Sequence, residues 1–345
     1  MATPEATSNL EGPGYTRHVD VTISNLGIGT YLGEPDDEND DRYRRAVDKA
    51  LGLGCNVIDT AVNYRNQRSE RVIGDVLSEY RRDEVFLSTK GGFIPFDGDV
   101  PDSPENYLIR NYVDPGIVAP EEVVETNCLT PKFIENQLET SLDNLGTDYI
   151  DLYYVHNPEI QLAEFDEGEV ENKLREVFEL LEQKITEGDI REYGVASWKA
   201  FRVPESHDRH MSLEQICRIA EGASDGDSGL EAVQLPYNAH MNQAYTEETQ
   251  RVYGEKLSAF DAAEKLDIDV FVSASLMQGR LSKITPEALD DIEGSNVEAA
   301  LNFARSPPQV AAALFGSRDV GHVEENLEVL NKDKVEGKEY QKLFE

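Results

Sequence analysis

Three polar residues close short apolar runs and set the chemical question. Asp59 follows the apolar residues 55–58, and Tyr64 comes five positions later in Asp59-Thr60-Ala61-Val62-Asn63-Tyr64. Lys90 ends Val85-Phe86-Leu87-Ser88-Thr89, with Gly91-Gly92 directly behind it, and His156 ends Tyr149-Ile150-Asp151-Leu152-Tyr153-Tyr154-Val155. Runs of this length read as buried strands, and α/β proteins keep their chemistry on the loops at the carboxyl ends of such strands. The residue types suit reduction of a carbonyl. A carbonyl that accepts hydride becomes an alkoxide and needs a proton. Tyr64 can give one if its pKa, ordinarily about 10, is drawn down by an adjacent ammonium, a job for Lys90. A buried ammonium needs a carboxylate to stay charged, which Asp59 can supply. His156 can donate a hydrogen bond to the carbonyl oxygen and stabilise its developing charge. Singly, each residue has an ordinary reading: Lys90 as a surface strand end, His156 as a satisfied core histidine, Asp59 and Tyr64 as loop residues.

Together with Ser69, Glu70 and Gly74, these segments stand in an order and spacing that resembles the aldo-keto reductase family, over about residues 23–331. The resemblance implies a catalytic set of Asp59, Tyr64, Lys90 and His156, and a nicotinamide dinucleotide laid in extended form across a barrel mouth. It implies Thr30, Tyr31 and Asp59 near the nicotinamide, with Ser197 and Gln234 on its carboxamide. Ser275, Leu276, Gly279 and Leu281 would wrap the pyrophosphate. Gly316, Ser317, Arg318, Glu325 and Asn326 would hold the adenosine end, beside a helix N-terminus near Gly321 that favours phosphate. Three departures stand out. Ala196-Ser197 replaces the usual Ser-Asn, Ser273 replaces an aromatic that stacks on the nicotinamide, and His322 replaces an arginine often used for a 2′-phosphate. Arg318 could substitute, since a guanidinium binds phosphate bidentately. NADPH is the expected coenzyme and NADH the alternative.

Other chemistries fit less well. Lys90 as a Schiff-base lysine would make a barrel aldolase, and the neighbouring Asp59, Tyr64 and His156 argue against it. A cofactor-binding regulatory barrel with little turnover is compatible with Ala196 and Ser273. The glycines of residues 27–33 are spaced G-x-G-x-x-x-G, and residues 34–41 are too acidic to greet a pyrophosphate, so a Rossmann loop is not expected there. His207 and His210 could share a helix face but have no evident third ligand, so no metal is expected.

Positioning these groups requires a regular frame. Apolar runs at about residues 26–30, 55–58, 85–90, 149–156, 190–196, 232–238, 269–275 and 309–315 read as strands. Helical spacing is found at 41–53, 69–80, 131–145, 167–187, 211–222, 255–266, 297–304 and 321–330. Strands and helices that alternate argue for a parallel sheet, and eight of each fit a closed (β/α)8 TIM barrel, here expected as a single domain over residues 1–345. Residues 17–24 alternate and suggest a hairpin at the mouth or floor. Residues 91–129 break the pattern with Asp, Pro, Gly and aromatics, and read as a long inserted loop after the third strand, favoured as a lid. The tail past Asn331 reads as loosely held.

Composition bounds the setting. The chain has 345 residues, with 68 acidic against 32 basic side chains and a net charge of −36. Acids are dispersed, which is tolerable where salt screens them, since the Debye length falls to about 3 Å at 1 M. A salt-adapted, haloarchaeal-type protein is the expectation, with a small-molecule carbonyl or alcohol as substrate. Such a surface would repel nucleic acid. Cys55, Cys128 and Cys217 are isolated and odd in number, fitting neither a disulfide framework nor a zinc motif. No apolar run approaches the roughly 18 residues of a membrane span, and residues 1–14 lack the features of a signal peptide. A cytoplasmic protein is expected.

Overall fold

The computed structural model describes residues 1–344 apart from 225, 282, 284–288, 290 and 291. Eight parallel strands form a closed barrel in chain order: Leu26–Gly29, Val57–Asp59, Phe86–Gly91, Ile150–His156, Ile190–Ala196, Leu230–Pro236, Asp269–Ser273 and Val310–Gly316. The eighth pairs with the first, Ala313 opposite Leu26 and Gly316 opposite Gly29. The expected (β/α)8 barrel is therefore the observed fold.

Strand side chains alternate between the two faces, and this sorts the core into two parts. Val57, Phe86, Leu152, Tyr154, Ala232, Phe271 and Leu314 fill the barrel interior. Ile58, Leu87, Tyr153, Val155, Val233, Val272 and Phe315 pack outward against the helices. Two or four residues further along five of the strands, the inward set becomes Asp59, Ser88 and Lys90, His156, Gln234 and Ser273. The apolar register at the bottom thus decides which polar groups face inward at the top. The interior is tight: a Cβ on Gly27 would lie 2.7 Å from both Leu314 Cδ2 and Val57 Cγ1.

Helix ends follow the expected chemistry. Pro131–Leu145 starts after Thr130 and stops on left-handed Gly146 (φ 59). Glu167–Glu187 opens with a capping box between Asp166 and Glu169 and stops on Gly188 (φ 87). The hairpin Tyr15–His18 and Val21–Ser24 closes the barrel floor, and its Val21 and Ile23 join the interior cluster.

Two expectations are corrected. Residues 255–266 are not one helix: Gln250–Val252 and Glu255–Leu257 form a hairpin, and the helix is Ala259–Lys265. Tyr253 (φ 51) and Gly254 (φ 84) make a left-handed two-residue turn, the geometry that hairpins prefer, and the Ser258 hydroxyl caps the helix. The tail is docked, not loose. In the helix Gly337–Lys342, Tyr340 is buried, its hydroxyl 2.5 Å from that of Tyr237 and donating to the Phe303 carbonyl at 3.0 Å. Phe344 stacks on Tyr245, so two aromatics four residues apart anchor a charged segment. The insertion expected after the third strand is present, and the segment 91–129 carries the helix Pro104–Leu108, a π turn at Ile109–Val113 and the hairpin Val123–Val124 with Asn127–Cys128. Tyr112 packs on Phe133, Gln67 donates to the Phe96 carbonyl and Arg71 pairs with Asp97. Most of this segment therefore lies beside the barrel helices.

Candidate active site

At the carboxyl ends of the strands, Lys90 is fully buried, its Nζ 2.6 Å from Asp59 Oδ2 and 2.7 Å from the Thr60 carbonyl. The other oxygen of Asp59 accepts from Ser88 Oγ at 2.9 Å and Gln234 Nε2 at 2.8 Å. Nζ also lies 5.0 Å from the centre of the Tyr64 ring. Burial lowers the Lys90 pKa, opposed by Asp59.

Tyr64 and His156 stand above this pair. The Tyr64 hydroxyl has no hydrogen-bond partner among the described residues, while its ring packs edge-on against Tyr31 (5.0 Å between centroids) and His156 (6.1 Å). Its pKa is raised well above 10, first by burial and then by the Asp59 charge. Burial outweighs the pull expected from Lys90, whose ammonium is held by Asp59 and Thr60. The phenol keeps its proton at neutral pH. His156 packs against Phe93 (4.9 Å), and burial followed by the Lys90 charge lowers its pKa well below 6.5. It is a neutral imidazole, with Nδ1 buried and without a partner among the described residues.

The loop after Tyr64 is held against its own preference. Arg65, Asn66 and Gln67 are consecutive left-handed residues (φ 49, 55 and 70), a costly conformation for non-glycine residues. Arg65 secures it, donating to the Glu34 carbonyl at 3.0 Å, the Asp36 carbonyl at 3.1 Å and Asp40 Oδ1 at 2.5 Å. The next motif residues are structural. Ser69 Oγ donates to the Thr30 carbonyl, and buried Glu70 accepts from Thr89 Oγ1 and Asn144 Nδ2. Gly74 lets its helix approach Pro131–Leu145, where a Cβ would lie 2.8 Å from the Asn144 and Leu145 carbonyl oxygens.

A cavity of about 490 Å³ opens above these residues. Asp59, Tyr64 and His156 line it, and Lys90 lies beneath. Of the expected cofactor contacts, Thr30, Tyr31, Ser197, Gln234, Ser275, Leu276, Gly279 and Gly316 also line it. Leu281, Ser317, Arg318, Glu325 and Asn326 are not among its lining residues. Leu281 and Asn326 are buried, Ser317 Oγ donates to the Asp319 carbonyl, Arg318 donates to Asn39, and Glu325 accepts from Ser295. The helix Val320–Leu327 does not offer a free N-terminus either, because the Asp319 carboxylate already caps Gly321 N and His322 N.

Ser197 does not offer a free hydroxyl. It donates to Glu159 Oε1 at 2.8 Å and accepts from Ala200 N, also at 2.8 Å, so it shapes the turn after the fifth strand. Glu159 was missed in the sequence. It is buried, takes the backbone N–H groups of Trp198 and Lys199 as well, and its pKa is raised by burial. Asn63, Phe93, Asn157 and Trp198 also line the cavity unanticipated. Their only sequence signal was adjacency: Asn63 precedes Tyr64, Asn157 follows His156, and Trp198 follows Ser197. His207 and His210 are occupied locally, the latter within 3.0 Å of the Thr249 carbonyl. Among the described residues no cluster of three or more His, Cys, Asp or Glu is placed to hold a metal, and no helix is long and apolar enough to cross a membrane.

Comparison with known proteins agrees with this architecture. An uncharacterized oxidoreductase of Bacillus subtilis, YqkF, is 26% identical over 333 residues, covering 94% of this chain and 92% of its own. Among solved structures, an aldo-keto reductase of Bacillus halodurans in its holo form has a TM-score of 0.67 at 20% identity, covering 96% of each chain. An aldo/keto reductase of Klebsiella pneumoniae in complex with NADP and acetate has a TM-score of 0.64 at 19% identity, covering 96% of this chain and 94% of its own. At such identities the two structures speak for the fold. The model of the Aldo/keto reductase family matches residues 25–291, and the chain belongs to that family of NAD(P)-dependent oxidoreductases.

Proposed function

We propose that the protein reduces a small aldehyde or ketone to an alcohol, or runs the reverse reaction, with NADPH as coenzyme and Tyr64 as proton donor. The observation that carries the reading is the convergence of an unpartnered phenol and a neutral imidazole on one cavity, above the buried Lys90–Asp59 pair. The residues fit a dinucleotide: Ser275 Oγ is buried, lines the cavity and has no partner among the described residues. Ala274, Met277 and Gln278 are left-handed (φ 58, 47 and 56), the kind of backbone that forms anion-binding concavities. Thr30, Tyr31 and Gln234 would face the nicotinamide, and Gly279 the pyrophosphate. When bound, the coenzyme supplies the hydride.

The chain's own residues supply the rest. His156 is placed to orient the carbonyl oxygen, and Tyr64 holds the proton that neutralises the alkoxide. Asp59 keeps Lys90 charged, so that the ammonium near the Tyr64 ring stabilises phenolate after proton transfer. An aldolase is disfavoured because Lys90 Nζ is tied to Asp59 and Thr60 and does not line the cavity. The net charge of −36 supports a salt-adapted protein in a salt-rich cytoplasm that does not bind nucleic acid.

The test is oxidation of NADPH and NADH against aldehydes, at low and at molar KCl, with Tyr64→Phe alongside. Turnover that is faster in KCl and falls about 10²–10⁴-fold in the variant is expected. Tight coenzyme binding without turnover would replace this reading with a regulatory barrel.

A further inference from the structure

The residues that follow Tyr64 leave its loop in two directions. Arg65, Asn66 and Gln67 all carry positive φ, and a left-handed run without glycine persists only where its surroundings over-determine it. On one side the bonds lead to the inserted segment. Gly98 N donates to the Asn66 carbonyl at 2.9 Å, Asn66 Nδ2 to the Gly98 carbonyl at 3.3 Å, and Gln67 Nε2 to the Phe96 carbonyl at 2.8 Å. On the other side Arg65 reaches the loop after the first strand. Its guanidinium donates to the Glu34 and Asp36 carbonyls and to the Asp40 carboxylate. It also lies 5.2 Å from the centre of the Tyr43 ring, whose hydroxyl donates to the Leu32 carbonyl at 2.7 Å.

Two features set this arginine apart from an ordinary ion pair. Its side chain is fully buried, whereas exposed pairs contribute little. The loop it grips carries Tyr31, whose ring packs edge-on against Tyr64 at 5.0 Å. Arg65 therefore joins the two loops whose aromatic rings meet beside the cavity. It is not among the cavity's lining residues, so it acts on the reaction through the loops it joins. A guanidinium holds its acceptors in a fixed planar fork, which an ammonium does not. Resting on the carbonyl-reductase reading, we infer that Arg65 is a positioning residue for the proton donor. It fixes the Tyr64 hydroxyl where the developing alkoxide forms, by clamping the Tyr64 loop to the Tyr31 loop and to the first turn of the helix Asp37–Gly52. The proton passes from Tyr64 Oη to the alkoxide oxygen, and Arg65 neither gives nor takes one. A reacting group misplaced by about 1 Å loses about 10²-fold in rate.

The experiment measures kcat, KM and coenzyme Kd in the full chain and in its Arg65→Gly and Arg65→Lys variants, with the aldehyde that the unaltered protein reduces fastest. Glycine adopts the φ of 49 found at Arg65 without steric cost, so Arg65→Gly removes the clamp while relieving the backbone. It is expected to lower kcat by about tenfold or more, with KM and coenzyme Kd held within about twofold. Arg65→Lys keeps a charge opposite Asp40 and should recover part of the loss. The solvent deuterium isotope effect on kcat should rise in the glycine variant, as proton delivery from Tyr64 becomes slow. Coenzyme binding by fluorescence reports that each variant is folded, and the Lys variant decides alone if the Gly variant is not. An unchanged kcat in the folded variant would overturn the inference and leave the reductase reading standing. So would a loss shared by coenzyme binding with no change in the isotope effect. Failure of the unaltered protein to oxidise NADPH or NADH with any aldehyde would instead overturn the reductase reading, and the inference with it.

Discussion

Lys90 and His18 are buried basic groups at opposite ends of the barrel, and their surroundings differ in kind. At the top, Lys90 meets a single carboxylate, Asp59, at 2.6 Å, and burial lowers its pKa. At the floor, His18 lies between the carboxylates of Glu192 and Asp269, with Phe86 and Phe271 edge-on at 5.2 and 5.3 Å. Burial opposes the charge of His18 as well, yet the two carboxylates together raise its pKa to about 10. The partly buried Glu231 and the guanidinium of Arg191, 3.7 Å from Glu192, complete that environment. Every polar atom of the imidazole is satisfied at the floor. At the top, the Tyr64 hydroxyl, His156 Nδ1, Asn63 Oδ1 and Ser275 Oγ are left without hydrogen-bond partners among the described residues. The lesson is a division of labour known for barrels, in which the floor carries stability and the top carries chemistry. A second carboxylate makes an ion pair a clamp. A single one leaves the charge poised.

Breaking the upper pair should give the largest effect. Lys90→Met leaves Asp59 buried and uncompensated, so stability should fall by about 3–5 kcal/mol and turnover by about 10²–10⁴-fold. Adding Asp59→Asn should restore much of the stability, measured by chemical denaturation, and none of the activity. Activity that returned in the double variant would show that the charge of Lys90 is not needed.

The floor should separate from the top. His18→Leu should cost about 3–5 kcal/mol as well, while kcat and KM stay close to those of the unaltered protein. The clamp also predicts a pH dependence. The folded chain holds the His18 proton up to about 10, whereas an unfolded histidine releases it near 6.5. Its stabilisation is therefore complete below pH 6.5 and is lost as pH rises through about 10. The decline should be shallower in His18→Leu, and parallel curves would remove the clamp.

The smallest expected effect sharpens the comparison. Tyr64 is shifted well above 10 and His156 well below 6.5. Neither should change protonation across the neutral range in the free enzyme. The kcat/KM for carbonyl reduction should then be nearly flat between about pH 7 and 9. A limb inside that window would assign the titrating group elsewhere.

Much of this was legible in the chain. The alternation Phe86, Ser88, Lys90 and Leu152, Tyr154, His156 announced which polar residues face the barrel interior, because period-two patterning survives any detail of packing. The helical spacing at 131–145 marked a helix for equally local reasons, and Pro131 and Gly146 bound it. Residues 255–266 misled, since their helical spacing begins directly after the left-handed turn at Tyr253-Gly254, whose hairpin takes Glu255–Leu257. The tail misled because its charge outweighs two aromatics whose partners, Tyr237, Tyr245 and Phe303, lie far away in sequence. Ser197 and Glu159 show the same limit at the site: a hydroxyl expected to meet a ligand is taken by a buried carboxylate from another strand's loop.

By itself, then, the sequence determined the barrel, the strand ends and the residue types gathered there, since these follow from local periodicity and turn chemistry. The tertiary structure alone decided their electrostatic states. Burial holds the Tyr64 proton where an adjacent lysine had been expected to loosen it. Two carboxylates distant in sequence charge His18, and no described residue hydrogen-bonds the Asn63 side chain. Each depends on which groups the closed barrel excludes from water, and solvent exclusion is a property of the assembled fold.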